Sequence, residues 1–268
     1  MNAVKEKLSR GEIVLGHMVF EFFSHGIAKL LENAGFEFVM YDMEHTGLDL
    51  GDVARLLREA RSANIVRLVR VPDSLYHLIS RPLDLGAQGV MVPRVETAEQ
   101  AAAIVSAVKY PPVGRRGAAF GFAHDDYTVG DVAAKIGAIN QSTLVIVQIE
   151  TALGLENVDE IVRTPGVDVA WVGHFDLSIS LGIPAAFASS RFIEASRRVS
   201  EACRAAGVAA GYNAATVEDA LEWTGRGYTC IGLGSDVRTY PAAAAILVSS
   251  ARERLRAGGR GPSGGGAR

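Results

Sequence analysis

The stretches that decide the fold are Leu144-Val-Ile-Val-Gln-Ile-Glu150 and Asp168-Val-Ala-Trp-Val-Gly-His-Phe-Asp176. Each is an apolar run rich in β-branched residues, and each closes on a carboxylate, as buried parallel strands that end at a functional site do. An acid at this position points into the mouth of the fold, where it needs a proton, a cationic partner or a metal. The pair Glu150 and Asp176 therefore predicts one shared metal site.

Apolar runs of this kind recur about every 25 to 35 residues, and most intervals between them have helical periodicity. The predicted strands cover residues 13–20, 36–42, 64–71, 89–93, 144–150, 168–176, 208–213 and 228–235. The predicted helices cover residues 26–34, 50–63, 74–86, 96–108, 130–141, 156–164, 189–206 and 216–226. A last helix is predicted at 239–256, with its start signalled by Tyr240-Pro241.

Eight alternating units of strand and helix predict an α/β protein that folds as a single (β/α)8 TIM barrel over residues 1–257. An open doubly wound sheet would need a Gly-rich phosphate turn after its first strand, and Val19-Phe-Glu-Phe-Phe-Ser24 contains none. Residues 258–268 contain no apolar side chain larger than Ala or Pro, so we expect a disordered Gly-rich tail there.

Composition and charge exclude two classes of partner. The formal net charge is -3 and basic residues are scattered along the chain, so the electrostatic footprint of a nucleic-acid-binding protein is missing. No apolar run reaches the roughly 18 residues of a membrane span, and the N-terminal residues begin a charged helix without a signal-peptide core. We therefore expect a cytoplasmic protein that acts on small molecules, with neither nucleic acid nor membrane as partner.

Two carboxylates at equivalent ends of neighbouring strands can share one divalent cation and leave its other positions to water and substrate. Ligation by carboxylate oxygens alone favours Mg²⁺ or Mn²⁺, with Co²⁺ as a substitute, over a structural zinc site. The alternative for Glu150 or Asp176 taken singly is a helix N-cap or an ion pair at the rim. Finding both at equivalent positions favours the metal.

A histidine and an arginine accompany these acids. His45 follows Asp42 and Glu44 at the end of the second strand, where a carboxylate can orient its ring and raise its basicity, as a general base requires. Arg70 closes the third strand, and a buried guanidinium there must find an anion such as a carboxylate or an enolate oxygen. The alternative for Arg70 is a structural ion pair with Asp42 or Glu44.

Two further features of the sequence point to the same end of the barrel. Gly173 precedes His174-Phe175-Asp176, and backbone N–H groups in this turn could receive the carboxylate of a ligand. The irregular residues 109–130 are too long for an ordinary connection, so they are a candidate lid over the C-terminal face. The alternative for this loop is that it only covers the barrel.

Six stretches follow one another in a fixed order: Asp42-Met-Glu-His45, Val69-Arg-Val-Pro72, Leu83-Asp-Leu-Gly-Ala-Gln-Gly-Val-Met-Val-Pro93, Tyr110-Pro-Pro-Val-Gly-Arg-Arg-Gly117, Val147-Gln-Ile-Glu-Thr151 and Gly173-His-Phe-Asp-Leu-Ser178. In this order they resemble the motifs of the HpcH/HpaI aldolase/citrate lyase family, which contains class II, metal-dependent pyruvate aldolases. The resemblance extends from about residue 16 to about residue 248. It implies the (β/α)8 barrel that the hydrophobic pattern already predicts.

The resemblance also implies roles for individual residues. The metal ligands of the family correspond to Glu150 and Asp176, its base to His45 paired with Asp42, and its enolate-stabilising arginine to Arg70. These assignments agree with the roles expected from the residues themselves.

The keto acid and the assembly of subunits are covered by the same resemblance. It implies that Gln148 lies beside the bound keto acid, and that backbone amides of Gly173, His174, Phe175 and Asp176 hold its carboxylate. It further implies a hexamer, built as a trimer of dimers that exchange the last helix between paired subunits. Asp84 resembles a residue that reaches the site of a neighbouring subunit.

Three positions depart from the family pattern, and each is a histidine here. His25 and His174 stand where the family has proline, and His124 stands where it has arginine after the G-x-R-G loop. We expect all three to border the acceptor side of the site. Loss of the arginine argues against the dicarboxylate or phosphate acceptors of relatives, because a neutral imidazole cannot form a two-pronged clamp on an anion. The alternative is neutral change at loop positions.

The resemblance and the candidate residues together predict a divalent-metal-dependent aldolase. It would reversibly cleave a 4-hydroxy-2-oxo acid to pyruvate, or another 2-oxo acid, and an aldehyde through a metal-bound pyruvate enolate. One alternative uses the same enolate for decarboxylation of oxaloacetate or for a Claisen-type, citrate-synthase-like condensation. A second alternative is a non-catalytic barrel that binds a keto acid, which the intact candidate residues disfavour.

Overall fold

A computed structural model describes residues 2–258 of the chain. Eight parallel strands close into a barrel in chain order, and each pairs with the next. The strands are β1 Val14–Val19, β2 Phe38–Asp42, β3 Val66–Arg70, β4 Gly89–Val92, β5 Leu144–Ile149, β6 Val169–Val172, β7 Ala209–Ala214 and β8 Cys230–Ser235. The predicted (β/α)8 barrel and its eight strands are confirmed.

Twelve α-helices are present in residues 2–258, most of them in the ring outside the strands. They are α1 Ala3–Ser9, α2 Ile27–Asn33, α3 Leu50–Glu59, α4 Tyr76–Asp84, α5 Ala98–Val108, α6 Val132–Ser142, α7 Ala152–Glu156, α8 Val158–Val162, α9 His174–Ser180, α10 Ser190–Ala206, α11 Val217–Gly225 and α12 Asp236–Gly258. Short 3₁₀ turns cover Ala60–Ser62 and Ala123–Asp125. None of the helices in this part of the chain is long and apolar enough to cross a membrane.

Two predicted element boundaries were wrong. The run 168–176 is not one strand, because β6 ends at Val172 and the N–H of Leu177 donates to the carbonyl of Gly173 at 2.8 Å to open α9. Asp176 therefore lies in the first turn of a helix. The last helix begins at Asp236, directly after β8, and Pro241 lies inside it. The predicted tail lies outside the described residues except for Gly258, the last residue of α12.

Small and large residues alternate inside the barrel. A Cβ at Gly16 would overlap the ring of Phe38, and a Cβ at Gly211 would overlap Trp171. Glycine in these strands thus leaves room for the aromatic rings that fill the interior, which also contains Met40, Leu68 and other buried apolar residues. A second core lies between the strands and the surrounding helices. This packed interior lies directly below the site at the C-terminal end of the strands and closes the barrel beneath it.

Strand register places polar side chains above that floor. Side chains alternate between the two faces of a strand, so Phe38, Met40 and Asp42 of β2 share the inner face. In the pairing of β2 with β3, Met40 lies opposite Leu68 and Asp42 lies opposite Arg70. The apolar layer below therefore gives way to an acid and a guanidinium at the C-terminal end of the barrel.

Candidate active site

A cavity of about 290 Å³ opens at the C-terminal end of the barrel. Seven of the predicted site residues line it: His45, Arg70, Gln148, Gly173, His174, Phe175 and Asp176. A larger cavity of about 490 Å³ lies at the other end, between α10, α11 and the beginnings of β7 and β8, and contains none of them. Chemistry in a barrel of this kind takes place at the C-terminal end, so the smaller cavity is the candidate active site.

Arg70 is the central cation of this site. Its Nε lies 2.6 Å from Asp42 Oδ1, its Nη2 lies 2.9 Å from Asp42 Oδ2, and its Nη1 lies 3.0 Å from Glu44 Oε2. Burial disfavours the charged guanidinium, but the hydrogen bonds and charge of Asp42 outweigh that effect and raise the pKa of Arg70. Both ion pairs considered from the sequence are thus formed, while Arg70 still lines the cavity.

His45 lies at the edge of the cavity. Its side chain is 55% exposed, and its Nε2 is 3.6 Å from Glu44 Oε2. The expectation that Asp42 holds the ring was wrong, because the Asp42 carboxylate accepts the backbone N–H of His45 at 3.2 Å and is otherwise engaged with Arg70. Glu44 is therefore the carboxylate that faces the imidazole.

Glu150 is a buried acid immediately after β5. Its Oε1 accepts the backbone N–H of Arg94 at 2.7 Å, and its Oε2 accepts a hydrogen bond from the amide of Gln148. Burial, followed by the charge of Glu44, raises the pKa of Glu150 to about 7. Asp176 adds to this effect, so Glu44, Glu150 and Asp176 lie close enough to repel one another.

The residues at this point suit a hard divalent cation. Three acids, Glu44, Glu150 and Asp176, repel one another here, and the side-chain oxygen Oε1 of Gln148 is buried without a hydrogen-bond partner. A Cβ at position 173 would overlap Glu150 Oε2, so only glycine at this position leaves room for the Glu150 carboxylate. No group of three or more His, Cys, Asp and Glu side chains within residues 2–258 forms a complete set of metal ligands. A cation held by Glu150 and Asp176 would therefore need oxygens from water or substrate as well.

His174 begins α9 and lies among aromatic rings. Its centroid is 4.7 Å from that of Phe175, 5.1 Å from Phe187 and 5.2 Å from Tyr212. Burial, followed by the charge of Arg238, lowers the pKa of His174 to about 4, so the imidazole is neutral at pH 7. The residue thus presents a neutral polar group to the cavity.

The backbone amides of this turn are only partly free. The N–H of Gly173 donates to the carbonyl of Ile149 at 3.1 Å, so it cannot also receive a ligand as expected. No side chain caps α9 at Gly173, which leaves the amides of His174, Phe175 and Asp176 as the candidates.

Three predicted residues lie away from this cavity within one chain. His124 lines a separate cavity of about 180 Å³ with Arg67 and Arg116, near the beginnings of β3 to β5. Asp84 pairs there with Arg116 at 2.5 Å. His25 is exposed in the turn before α2. The expectation that His25 and His124 border the acceptor side is not met within the chain, and the contact of Asp84 with the site of a neighbouring subunit stays a prediction.

The loop 109–130 is not a lid over the C-terminal end of its own chain. None of its residues lines the rim cavity, and Tyr110 packs against Phe120 at a centroid distance of 5.6 Å. The N–H of Tyr110 donates to the side chain of Asn140 in α6 at 2.7 Å. The loop therefore covers the side of the barrel beside α6.

The structure adds residues that the sequence did not single out. Asn213, Ser235 and Arg238 also line the cavity. Asn213 and Ser235 lie at the ends of β7 and β8, so the rule that identified Glu150 could have found them. Arg238 had no such signal, because the last helix was expected to begin after it.

Fold and rim together define a (β/α)8-barrel protein with acids, an arginine and a histidine around a cavity at the C-terminal end of its strands. The model of the HpcH/HpaI aldolase/citrate lyase family matches residues 18–243. The chain belongs to this family, as the order of its motifs indicated.

Relatives of the chain are aldolases. The 2-keto-3-deoxy-L-rhamnonate aldolase of Escherichia coli (strain K12) is 32% identical over 243 residues, which are 89% of each chain. The hydroxypyruvate/pyruvate aldolase of Paraburkholderia phytofirmans is 35% identical over 240 residues, 88% of this chain and 92% of that one. The crystal structure of an HpcH/HpaI aldolase from Desulfitobacterium hafniense superposes with a TM-score of 0.88 at 30% identity, covering 93% and 96% of the two chains. These relationships support an enzyme that cleaves carbon–carbon bonds.

Proposed function

We propose that the protein is a divalent-metal-dependent aldolase that reversibly cleaves a 4-hydroxy-2-oxo acid to pyruvate, or a similar 2-oxo acid, and an aldehyde. The observation that carries the proposal is the buried Arg70 guanidinium, which faces the cavity between the acids and His45. A relative whose name includes pyruvate aldolase, at 35% identity, supports the same chemistry.

Glu150 and Asp176 are the residues that would hold the cation. Mg²⁺ or Mn²⁺ suits their oxygens best, with Co²⁺ as a substitute. A bound divalent cation would polarise the 2-oxo group and offset negative charge there. Burial, followed by the charge of Glu44, raises the pKa of Glu150 to about 7, and a cation beside the carboxylate would favour its charged form.

The residues of the chain divide the cleavage reaction between them. His45 removes the proton of the 4-hydroxyl group, and the electron pair of the O–H bond forms the aldehyde carbonyl as the C3–C4 bond breaks. The electrons of the broken bond pass to C3 and on to the oxygen of the keto group. Arg70 stabilises that developing negative charge through its guanidinium. A proton from solvent then adds to C3 to give pyruvate, and His45 releases to solvent the proton that it took up. Glu44 orients His45 throughout.

The keto acid has a defined place in this scheme. The amides at the start of α9, from His174 to Asp176, would bind its carboxylate, because the N-terminal end of a helix attracts an anion. Gln148 lies beside it on β5 and orients Glu150 through its amide. These contacts would fix the keto acid against Arg70 before the bond breaks.

We also propose that the protein is a homo-oligomer, a hexamer in which α12 is exchanged between paired subunits. Helix α12 exposes Ile246 to 66%, Leu247 to 73% and Leu255 to 75%. Apolar side chains at this density on one helix are characteristic of a surface that a partner covers.

The test combines a metal series with two reactions. Purified protein would be stripped with a chelator and assayed for cleavage of a panel of 4-hydroxy-2-oxo acids and for exchange of the pyruvate methyl protons with deuterium, with and without Mg²⁺, Mn²⁺ or Co²⁺. We expect both reactions to need a cation. Glu150→Gln and Asp176→Asn should lose both, whereas the exposed control Glu160→Gln should retain them.

Two outcomes would overturn the proposal. Full activity of the stripped protein would remove the metal from the mechanism. Turnover confined to oxaloacetate decarboxylation, or to condensation with an acyl thioester, would assign the same enolate to a different reaction.

A further inference from the structure

The cavity at the rim has a second wall that the proposed keto-acid chemistry does not use. Arg70, Gln148 and Asp176 form one side, whereas the ends of β7 and β8 and the first turn of α12 form the other. Asn213, Ser235 and Arg238 supply the polar groups of this second wall. This part of the cavity is open to the aldehyde that leaves or enters the reaction once the keto acid is bound.

Arg238 is exposed, and no acid among residues 2–258 forms an ion pair with it. No carboxylate within residues 2–258 lies in ion-pair distance of its guanidinium, although Asp236 is only two positions away. Asp236 is fully engaged elsewhere, because it accepts the backbone N–H groups of Phe20 at 3.0 Å, Glu21 at 2.8 Å, Phe22 at 2.7 Å and Val237 at 2.8 Å. The guanidinium at the mouth of the cavity is thus available to a ligand.

The location of Arg238 is also unfavourable for its helix. The residue lies in the first turn of α12, a helix of 23 residues, where the aligned peptide dipoles leave partial positive charge. A cation there is disfavoured, whereas an anion near the same point interacts favourably with both the guanidinium and the end of the helix. Helix stability therefore does not account for an arginine at this position.

Asn213 supplies a second unmet polar group. Its side-chain oxygen Oδ1 is buried and has no hydrogen-bond partner. A buried acceptor of this kind costs free energy unless a donor reaches it. A hydroxyl group on a bound molecule would supply that donor, and the rings of Phe20 and Trp171 line the same cavity.

We propose that this second wall selects the acceptor aldehyde, with Arg238 binding an anionic end group and Asn213 accepting a hydrogen bond from a hydroxyl group of the same molecule. The inference rests on the proposed aldolase function and specifies its substrate class. The physiological 4-hydroxy-2-oxo acid then ends in a carboxylate, phosphate or sulfonate, which are the anions that a guanidinium clamps. Arg238, and not a residue at position 124, would then clamp the anion.

The test compares acceptors matched in length. Succinic semialdehyde and glyceraldehyde 3-phosphate are the anionic acceptors, and butanal and glyceraldehyde are their neutral counterparts. Each would be condensed with pyruvate by the wild-type enzyme, Arg238→Met, Arg238→Lys and the control Arg163→Met, which removes an exposed guanidinium just after α8 and outside the cavity. Deuterium exchange into pyruvate would be measured in parallel, because it needs no acceptor.

We expect the wild-type enzyme to prefer one of the anionic acceptors over its neutral counterpart. Arg238→Met should lower kcat/KM for that acceptor about 10- to 100-fold, as loss of a charge-assisted hydrogen bond does, while the neutral acceptors change less than about twofold. Arg238→Lys should keep part of the preference, and Arg163→Met all of it. The ratio between carboxylate and phosphate acceptors identifies the anion. Asn213→Leu should weaken use of glyceraldehyde more than use of butanal.

The opposite results are equally definite. A wild-type enzyme that prefers neutral acceptors would overturn the role of Arg238. So would an Arg238→Met variant whose kcat/KM falls equally for anionic and neutral acceptors. Pyruvate exchange separates this failure from failure of the proposed function. If the wild type exchanges pyruvate protons and Arg238→Met has the same acceptor preference as the wild type, only the inference is refuted. Absence of exchange in the wild-type enzyme with every added cation would refute both.

Discussion

The carboxylate of Asp42 and the guanidinium of Arg70 form a two-pronged ion pair, with Nε 2.6 Å from Oδ1 and Nη2 2.9 Å from Oδ2. The pair follows from the parallel register of β2 and β3, in which these two residues lie directly opposite each other. Because two hydrogen bonds fix the plane of the guanidinium, its remaining nitrogen Nη1 is directed to Glu44, 3.0 Å away. Asp42 therefore acts on the site through the orientation of Arg70.

Asp42→Asn should lower both stability and activity. The asparagine amide has one oxygen and cannot accept both hydrogen bonds from Arg70. The buried guanidinium then keeps only Glu44 as an anionic partner. Loss of one partner of a buried pair costs about 3 kcal/mol of unfolding free energy. Denaturant unfolding of the variant, beside the exposed control Asp159→Asn, checks this value, and a loss below about 1 kcal/mol would show that Glu44 replaces Asp42.

His45 and Arg70 should separate two steps of the proposed reaction. His45→Ala removes the base for the 4-hydroxyl group, so cleavage should fall about 10²- to 10⁴-fold while pyruvate exchange is partly retained. Arg70→Ala should reduce both, because the enolate loses its counter-charge in each. The measurements are the cleavage rate and the exchange rate of pyruvate for each variant. Equal losses in both reactions for both variants would contradict this division of labour.

The sequence predicted the strands of this barrel and most of its rim for a simple reason. A buried strand can be identified from the hydrophobic pattern of its own residues. Glu150 and Arg70 are therefore recognisable as polar residues at the ends of apolar runs. The end of β6 was misplaced because Gly173-His174-Phe175 continues the apolar pattern, and only the hydrogen bond from Leu177 to Gly173 shows that a helix has begun.

Contacts between distant residues were the part that the sequence could not supply. Whether Asp42 would face His45 or Arg70 depends on strand register, which pairs residues 28 positions apart. His124 lies near the beginnings of the strands because its loop packs beside α6, and no local pattern records that. The sequence did not reveal the second wall for the same reason, because only the folded structure shows that Arg238 borders the cavity.

Gly173→Ala should displace Glu150 without altering any charged group. A Cβ at this position would overlap Glu150 Oε2 and the amide of Gln148. Changing a residue that holds a metal ligand in place typically weakens metal affinity about 10- to 100-fold. Calorimetric titration of the stripped protein with Mn²⁺ measures the change. Gly137→Ala is the matched control, because nothing lies within 4 Å of its Cβ and Ala favours helix α6. Unchanged Mn²⁺ affinity in Gly173→Ala would show that Glu150 is not a ligand.

Charge on the apolar face of α12 should separate the subunits. Ile246 and Leu247 are 66% and 73% exposed within one chain, so Glu at both positions costs an isolated chain little but would place charge inside the proposed interface. Sedimentation analysis should show an assembly for the wild type and for the control Gln141→Glu, which adds a charge at an exposed position of α6, and single chains for Ile246→Glu/Leu247→Glu. A wild-type protein that sediments as one chain at micromolar concentration would refute the oligomer.

Lys109 should make the protein more stable as the pH rises above 7. Its side chain is buried beside the start of β5, where Nζ donates to the carbonyls of Asn140 and Thr143 at 2.7 Å each. Burial, followed by the nearby charge of Lys5, lowers its pKa to about 7, whereas an unfolded chain keeps the value near 10.5. Below pH 7 both states bind the proton. Between pH 7 and 10.5 the unfolded chain binds one more, so unfolding becomes less favourable as the pH increases.

Lys109→Met isolates this effect, because every other titrating group is common to both proteins. Unfolding free energies from denaturant titrations at pH 7.0 and pH 8.5 should show the wild type gaining about 1–2 kcal/mol relative to the variant, since each pH unit contributes at most about 1.4 kcal/mol per proton. Lys135→Met, which removes an amine bonded to Asp125 at 2.7 Å, is the control and should give parallel curves. A constant difference between wild type and Lys109→Met across this range would mean that Lys109 stays charged in the folded barrel, held by its two carbonyl partners.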